Sequence, residues 1–260
     1  MSDRIQPITI TRAGLIGSLV VIAIAGLCVR LGFWQISRLQ QRDARNQLIT
    51  ERMELPVIGL EPAFGDTAGL LYRRVIVNGR FDHEHTIVLA GRSLRGTPGV
   101  YILTPALLGG GRTGVLVNRG WYPAGDGFSV QLDSLVEPVM AKLTGFVLPF
   151  PGSARPPRED SALPDSAFRR AWFSPDAVAI RRQFGYPLLD LQVQALPEAE
   201  VSKFPIRLPP PTLDRGPHLG YAIQWFSFAL IAIGGWVTLM LKKGELRRGT
   251  PEPEMETGGF

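Results

Sequence analysis

The chain carries three histidines, His83, His85 and His218, and one cysteine, Cys28. That inventory bounds its chemistry. A lone cysteine forms no intramolecular disulfide and no CxxC pair, and the sequence assembles neither a zinc ligand set nor a c-type haem attachment motif. His83 and His85 lie in Asp82-His83-Glu84-His85. Two apart on a strand, they would share a face as some metal ligands do, but their polar surroundings read better as an exposed turn. There is no Gly-x-Ser-x-Gly nucleophile, and the carboxylates show no pairing. Gly109-Gly110-Gly111 lacks the Lys-Ser/Thr of a phosphate loop and reads as a hairpin turn. The sequence gives little support to an enzyme.

His218 is different. It directly precedes a long apolar run in Pro217-His218-Leu219-Gly220-Tyr221. On a helix, Tyr221 and Trp225 fall within about 60° of it on one face, and Trp236 returns to that face. An imidazole above such a stripe can anchor a helix at a membrane interface, which is the commoner use of the pattern. It also suits a flat apolar macrocycle with a metal centre, such as haem iron held by histidine.

The elements that must position these residues are clear from hydropathy. The chain has 260 residues, 45% hydrophobic and 20% charged, totals that would suit a soluble protein. The apolar residues, however, gather at the two ends. Residues 13–34 form a first predicted span, with Arg30 near its edge and Trp34 at the interface. Residues 218–241 form the second, free of charge and followed by Lys242, Lys243, Arg247 and Arg248. Those four cations favour a cytoplasmic side for the tail, 242–260, and hence for the N-terminus, 1–12. The domain between, 35–217, is then periplasmic. The expected location is a bacterial cytoplasmic (inner) membrane, crossed twice.

Residues 36–217 hold 21 Lys+Arg against 18 Asp+Glu. That balance is too even to argue for nucleic acid, and the arginine doublets read as solvated surface. Residues 35–54 lack Gly and Pro and continue the first span as a helix ended by Pro56. Strand-like runs follow at 71–81, 85–90, 100–107, 115–117 and 141–148, with Asn78-Gly79 as a turn or bulge signal. Residues 149–167 read as a long exposed loop. Ser174 is the expected N-cap of a helix reaching about Phe184, with Pro175 at its first position. Residues 188–196 alternate like a strand, and the five prolines of 205–217 give an extended lead into the second span. The fold class expected is an α+β membrane protein, two transmembrane helices flanking a mainly antiparallel-β extracytoplasmic domain.

Four stretches together carry a family likeness: Leu31-Gly32-Phe33-Trp34-Gln35-Ile36-Ser37-Arg38-Leu39; Gly79-Arg80-Phe81-Asp82; Val115-Leu116-Val117-Asn118-Arg119-Gly120-Trp121; and His218-Leu219-Gly220-Tyr221-Ala222-Ile223-Gln224-Trp225-Phe226. In these, and in their order, the chain resembles the surfeit locus protein 1 family of cytochrome c oxidase assembly factors, as a bacterial member. It departs where Gln41-Arg42 replaces a frequent Trp-Lys and where Pro217 replaces a frequent Asn.

The resemblance implies a non-enzymatic chaperone role in respiratory chain biogenesis. Such a protein would bind haem a transiently and assist its insertion into the catalytic subunit of an aa3-type oxidase. The partners implied are that subunit, the lipid bilayer and a haem a synthase. His218 becomes the candidate haem ligand, Tyr221 and Trp225 its packing neighbours, and Arg38 a partner for a propionate. Trp34, Gln35, Asn118, Arg119, Gly120 and Trp121 are carried over as structural or partner-facing motif residues. The alternative is a structural partner that stabilises the oxidase or an assembly intermediate without touching haem.

Overall fold

The computed structural model describes residues 12–61, 67–127, 129–135, 138–154, 168–198 and 204–248. The two chain ends and residues 155–167 of the expected loop lie outside the described residues. The chain divides into two compact units, Met1–Asn46 with Leu213–Phe260, and Gln47–Thr212.

The first unit is a pair of long helices. Helix α1 runs Arg12–Glu54 without a break, 43 residues, its last residues passing into the second unit. Helix α3 spans His218–Arg248. Both are long and apolar enough to cross a bilayer, and only 11% and 6% of their most apolar windows are buried, unlike core helices of a soluble protein. What is buried is the seam between them. Ala25, Cys28 and Ala229 close against Trp225. Gly32 lies under the Phe226 ring and Gly17 under the Trp236 ring, where a Cβ would stand 2.7 Å and 2.2 Å from ring carbons. Small residues here let two helices approach where no water drives them together. Trp236 Nε1 donates to Ser18 Oγ at 2.9 Å, and Phe33 meets Phe226 edge-on at 5.4 Å.

The second unit is built on eight strands: β1 Ile58–Gly59, β2 Arg74–Phe81, β3 Ile87–Leu94, β4 Thr97–Leu108, β5 Thr113–Pro123, β6 Met140–Pro149, β7 Ala171–Trp172 and β8 Leu188–Ala195. They are ordered β1-β2-β6-β8-β5-β4-β3-β7. Most pairings are antiparallel; β1–β2, β3–β7 and β5–β8 are parallel. Strand β4 uses one edge twice: residues 97–103 pair with β3, and Ala106–Leu108 pair with the end of β2. That second pairing closes β2, β6, β8, β5 and β4 into a ring, which removes their free edges. The alternation that marks a half-buried strand puts Val75, Val77, Val115, Val117, Val147, Leu191 and Val193 inside it. Helix α2, Ala177–Arg182, covers a second cluster of Ile87, Leu89, Leu103, Leu116, Phe150 and Trp172.

Three sequence expectations need correction. Asn78-Gly79 makes neither turn nor bulge; both stay in register with β6. Gly79 is there because the chain crowds it, a Cβ standing 2.5 Å from the Leu107 carbonyl oxygen. The N-cap of α2 is Asp176, not Ser174: its Oδ1 accepts from Val178 N at 2.9 Å and Ala179 N at 3.0 Å. The helix also stops at Arg182, short of Phe184.

Candidate functional site

At one end of the helix pair the side chains become polar. His218 begins α3, and Tyr221 N donates to the Pro217 carbonyl at 3.2 Å, so Pro217 precedes the helix without displacing its start. His218 Nδ1 lies 2.9 Å from Gln35 Oε1. An amide oxygen only accepts, so Nδ1 carries a proton toward Gln35; in the neutral imidazole this is the tautomer that leaves the lone pair on Nε2. Beyond Gln35, Arg215 grips Asp43 with both Nε (2.9 Å) and Nη2 (2.6 Å), and Asn46 Nδ2 donates to the Asp214 carbonyl at 3.2 Å. The guanidinium beside Asp43 holds that carboxyl below its usual range. This polar ladder lies on one face of α1, because 35, 43 and 46 fall within about 80° of one another around the helix.

The other candidates around His218 are placed as follows. Tyr221 is half exposed, at 49%. Trp225 is half-buried in the helix seam and meets Phe228 edge-on at 5.9 Å. Trp236 is also in the seam, so the stripe below His218 faces α1 rather than open space. Arg38 is exposed; its guanidinium lies 5.6 Å from the Trp34 ring centre and donates to Gln41 Oε1 at 3.1 Å. Among the described residues, no three His, Cys, Asp or Glu side chains gather to hold a metal ion.

Asn118, Arg119, Gly120 and Trp121 sit in the second unit and have a local job. In the β4–β5 ladder Leu103 pairs with Asn118 and Ile102 with Gly120, leaving Arg119 as the extra residue of a bulge. Asn118 Oδ1 accepts from Gly120 N at 3.1 Å, and Gly120 takes φ +136°, a region open to glycine. The bulge turns Arg119 inward until it is 1% exposed. There it donates to Thr104 Oγ1 and to the Leu135 carbonyl, with its guanidinium 5.7 Å from the Phe81 ring. Trp121 exchanges two backbone bonds with Ile206, at 2.8 and 2.7 Å. Sequence reasoning marked these residues as a motif; the register shift beneath them was not visible to it. A cavity of about 230 Å³ beside Arg119 is lined by His83, Glu84, Thr86, Asp133 and Arg170 as well.

Asp82 ties the turn at His83–His85 to the covering layer. Its Oδ2 accepts from the Tyr186 hydroxyl and from His85 Nδ1, each at 2.7 Å. Burial works to raise its pKa, but the hydrogen bonds from Tyr186 and His85 outweigh it and hold the carboxyl below its ordinary value of 3.8. The same contact and burial push the Tyr186 phenol upward. A depressed carboxylate contributes stability that is present above its unfolded pKa and is lost as pH falls through the folded one. Unfolding of the second unit should therefore ease below about pH 4. Asp82→Asn should flatten that acid limb in urea titrations at several pH values; an unchanged limb would assign it to other groups.

Comparison with known proteins settles the family. The profile of the SURF1 family matches residues 22–230, most of the chain. The chain belongs to the SURF1 family. It is 26% identical over 236 residues to a SURF1-like protein of Monosiga brevicollis, covering 86% of this chain and 87% of that one. It is 26% identical over 249 residues to an uncharacterised SURF1-like protein of Mycobacterium tuberculosis, 91% of this chain and 88% of the other. A Rickettsia felis SURF1-like protein is 25% identical over 223 residues, 83% and 93% of the two chains. SURF1 proteins serve the assembly of cytochrome oxidase and are not enzymes. Each of the four stretches that carried the resemblance now has a place. Two lie on facing helices, where Gln35 meets His218, and two build the bulge and the Asp82 turn of the β-rich unit.

Proposed function

We propose that this SURF1 protein assembles an aa3-type cytochrome c oxidase by holding haem a on His218 and assisting its insertion into the catalytic subunit. The observation that carries the reading is the His218–Gln35 contact of 2.9 Å. A histidine that ligates a metal commonly donates its other ring N–H to an oxygen, which fixes the tautomer and makes the ligating nitrogen more basic. Tyr221, half exposed beside it, offers an aromatic surface to a macrocycle, and Trp225 supports the helix beneath. Haem, when bound, would supply an iron centre that a histidine nitrogen can hold. The chain's own residues orient that nitrogen and supply an apolar wall.

In this reading the protein lies in the inner membrane of a bacterium, with spans at 13–34 and 218–241. Residues 35–217 face the periplasm, and residues 1–12 and 242–260 the cytoplasm. The cations Lys242, Lys243, Arg247 and Arg248 favour that orientation. Partners would be the oxidase catalytic subunit and a haem a synthase. The test is a visible spectrum of wild type and His218→Ala, each purified from cells making haem a. Wild type should carry a haem absorption band that the variant loses. Equal haem content in both would remove His218 from the role.

A further inference from the structure

Gly216 adopts φ +70° and brings no Cβ to the side of the His218 ring. A Cβ there would stand 3.4 Å from His218 Nε2 and 4.0 Å from Arg42 Nε. The His218 ring nitrogen and the Arg42 guanidinium thus both adjoin Gly216. Arg42 is exposed and takes part in no hydrogen bond or ion pair among the described residues. It lies seven residues after Gln35, two turns along, on the face of α1 that carries the polar ladder. Arg38, by contrast, is occupied with Trp34 and Gln41.

We propose that Gln35 and Gly216 are positioning residues for His218, and that Arg42, not Arg38, receives a carboxylate of the porphyrin. The proposal rests on the haem reading above. Gln35 selects the tautomer with Nε2 unprotonated. Gly216 keeps that nitrogen uncovered, and any side chain at 216 would both strain the backbone and shade Nε2. Arg42 offers a fork of N–H donors to one propionate, a geometry a carboxylate matches well. The ligand class is therefore an anionic metalloporphyrin, recognised at its metal and at its acidic edge by separate side chains.

The test uses the full-length protein in lipid nanodiscs. With ¹⁵N-labelled imidazole, His218 should show a protonated Nδ1 and a bare Nε2. Gln35→Leu should shift it toward the other tautomer, and Gln35→Glu, which keeps an acceptor, should restore the wild-type signal. A wild-type His218 protonated on Nε2 would overturn the proposal whether or not haem binds. In hemin titrations, Arg42→Gln should weaken binding about tenfold, the loss of one charge-assisted contact. It should leave binding of hemin dimethyl ester unchanged, while Arg38→Gln alters neither. Gly216→Ala should weaken both ligands. Equal hemin affinity for Arg42→Gln and wild type would overturn the role of Arg42. Equal affinity for His218→Ala and wild type would instead strike the haem reading itself, and the tautomer result would still be decided by the nitrogen spectra.

Discussion

Replacing Gly120 with alanine is expected to lower the melting temperature of the β-rich unit by about 10–20 °C. Two costs add. At φ +136° an L side chain is strained by about 1–3 kcal/mol. The new Cβ would also stand 2.3 Å from the Ile206 carbonyl oxygen and 2.7 Å from its carbon, backbone that cannot rotate away. Relief requires the 206 segment to move, which breaks the two Trp121–Ile206 bonds. Overpacking and those bonds add about 2–4 kcal/mol. The total, about 5 kcal/mol, rivals the whole stability of many domains. Circular dichroism melts of the full chain in detergent read the outcome. A variant melting within about 2 °C of wild type would mean the 206 strand is not held against the bulge.

Arg119→Leu is expected to cost about 2–4 kcal/mol, or roughly 4–16 °C. Replacing a buried charge with a hydrocarbon is often harmless, because the desolvation cost leaves with the charge. Here the groups left behind decide the sign. Thr104 keeps a partner, since its hydroxyl lies 3.0 Å from Thr86 Oγ1. The Leu135 carbonyl loses its guanidinium donor, and leucine is too short to fill the space beside a 230 Å³ cavity. Arg119→Lys should recover less than half the loss, because an ammonium cannot span Thr104 and Leu135 at once. A leucine variant as stable as wild type would show that the guanidinium is a desolvation burden and not a tie.

The parts of this molecule that sequence revealed are those governed by local pattern. Long uncharged runs announce spans whatever else the chain does, and Val75 and Val77 alternate with more exposed neighbours as a half-buried strand must. Pairings between distant residues carry no such mark. Nothing in residues 114–118 says that they lie parallel to 188–194. The cap of α2 shows the limit at short range. Ser174 and Asp176 are both good caps, and only the extended backbone at Asp176, with φ −117° and ψ 116°, decides between them.

The candidate site divides the same way. His218 stood out by type and position. Its contact with Gln35 joins residues 183 apart and depends on the register of two helices. Arg38 lies in a matched stretch, and the resemblance implies it as a partner for a propionate. The roles proposed for Gly216 and Arg42 rest on distances that no sequence pattern marks.

The parallel pairing of β8 has a consequence for how the chain is made. Strands β2 to β6 emerge from the ribosome in order, yet β5 and β6 are not neighbours; β8 must enter between them. Until Leu188–Ala195 arrives, both present unsatisfied backbone groups along a buried-type, valine-rich edge. A nascent chain therefore spends the synthesis of about forty further residues with its ring open, a period of several seconds at ordinary elongation rates. Closure is a single late event in which one eight-residue strand converts two adhesive edges, those of β5 and β6, into interior.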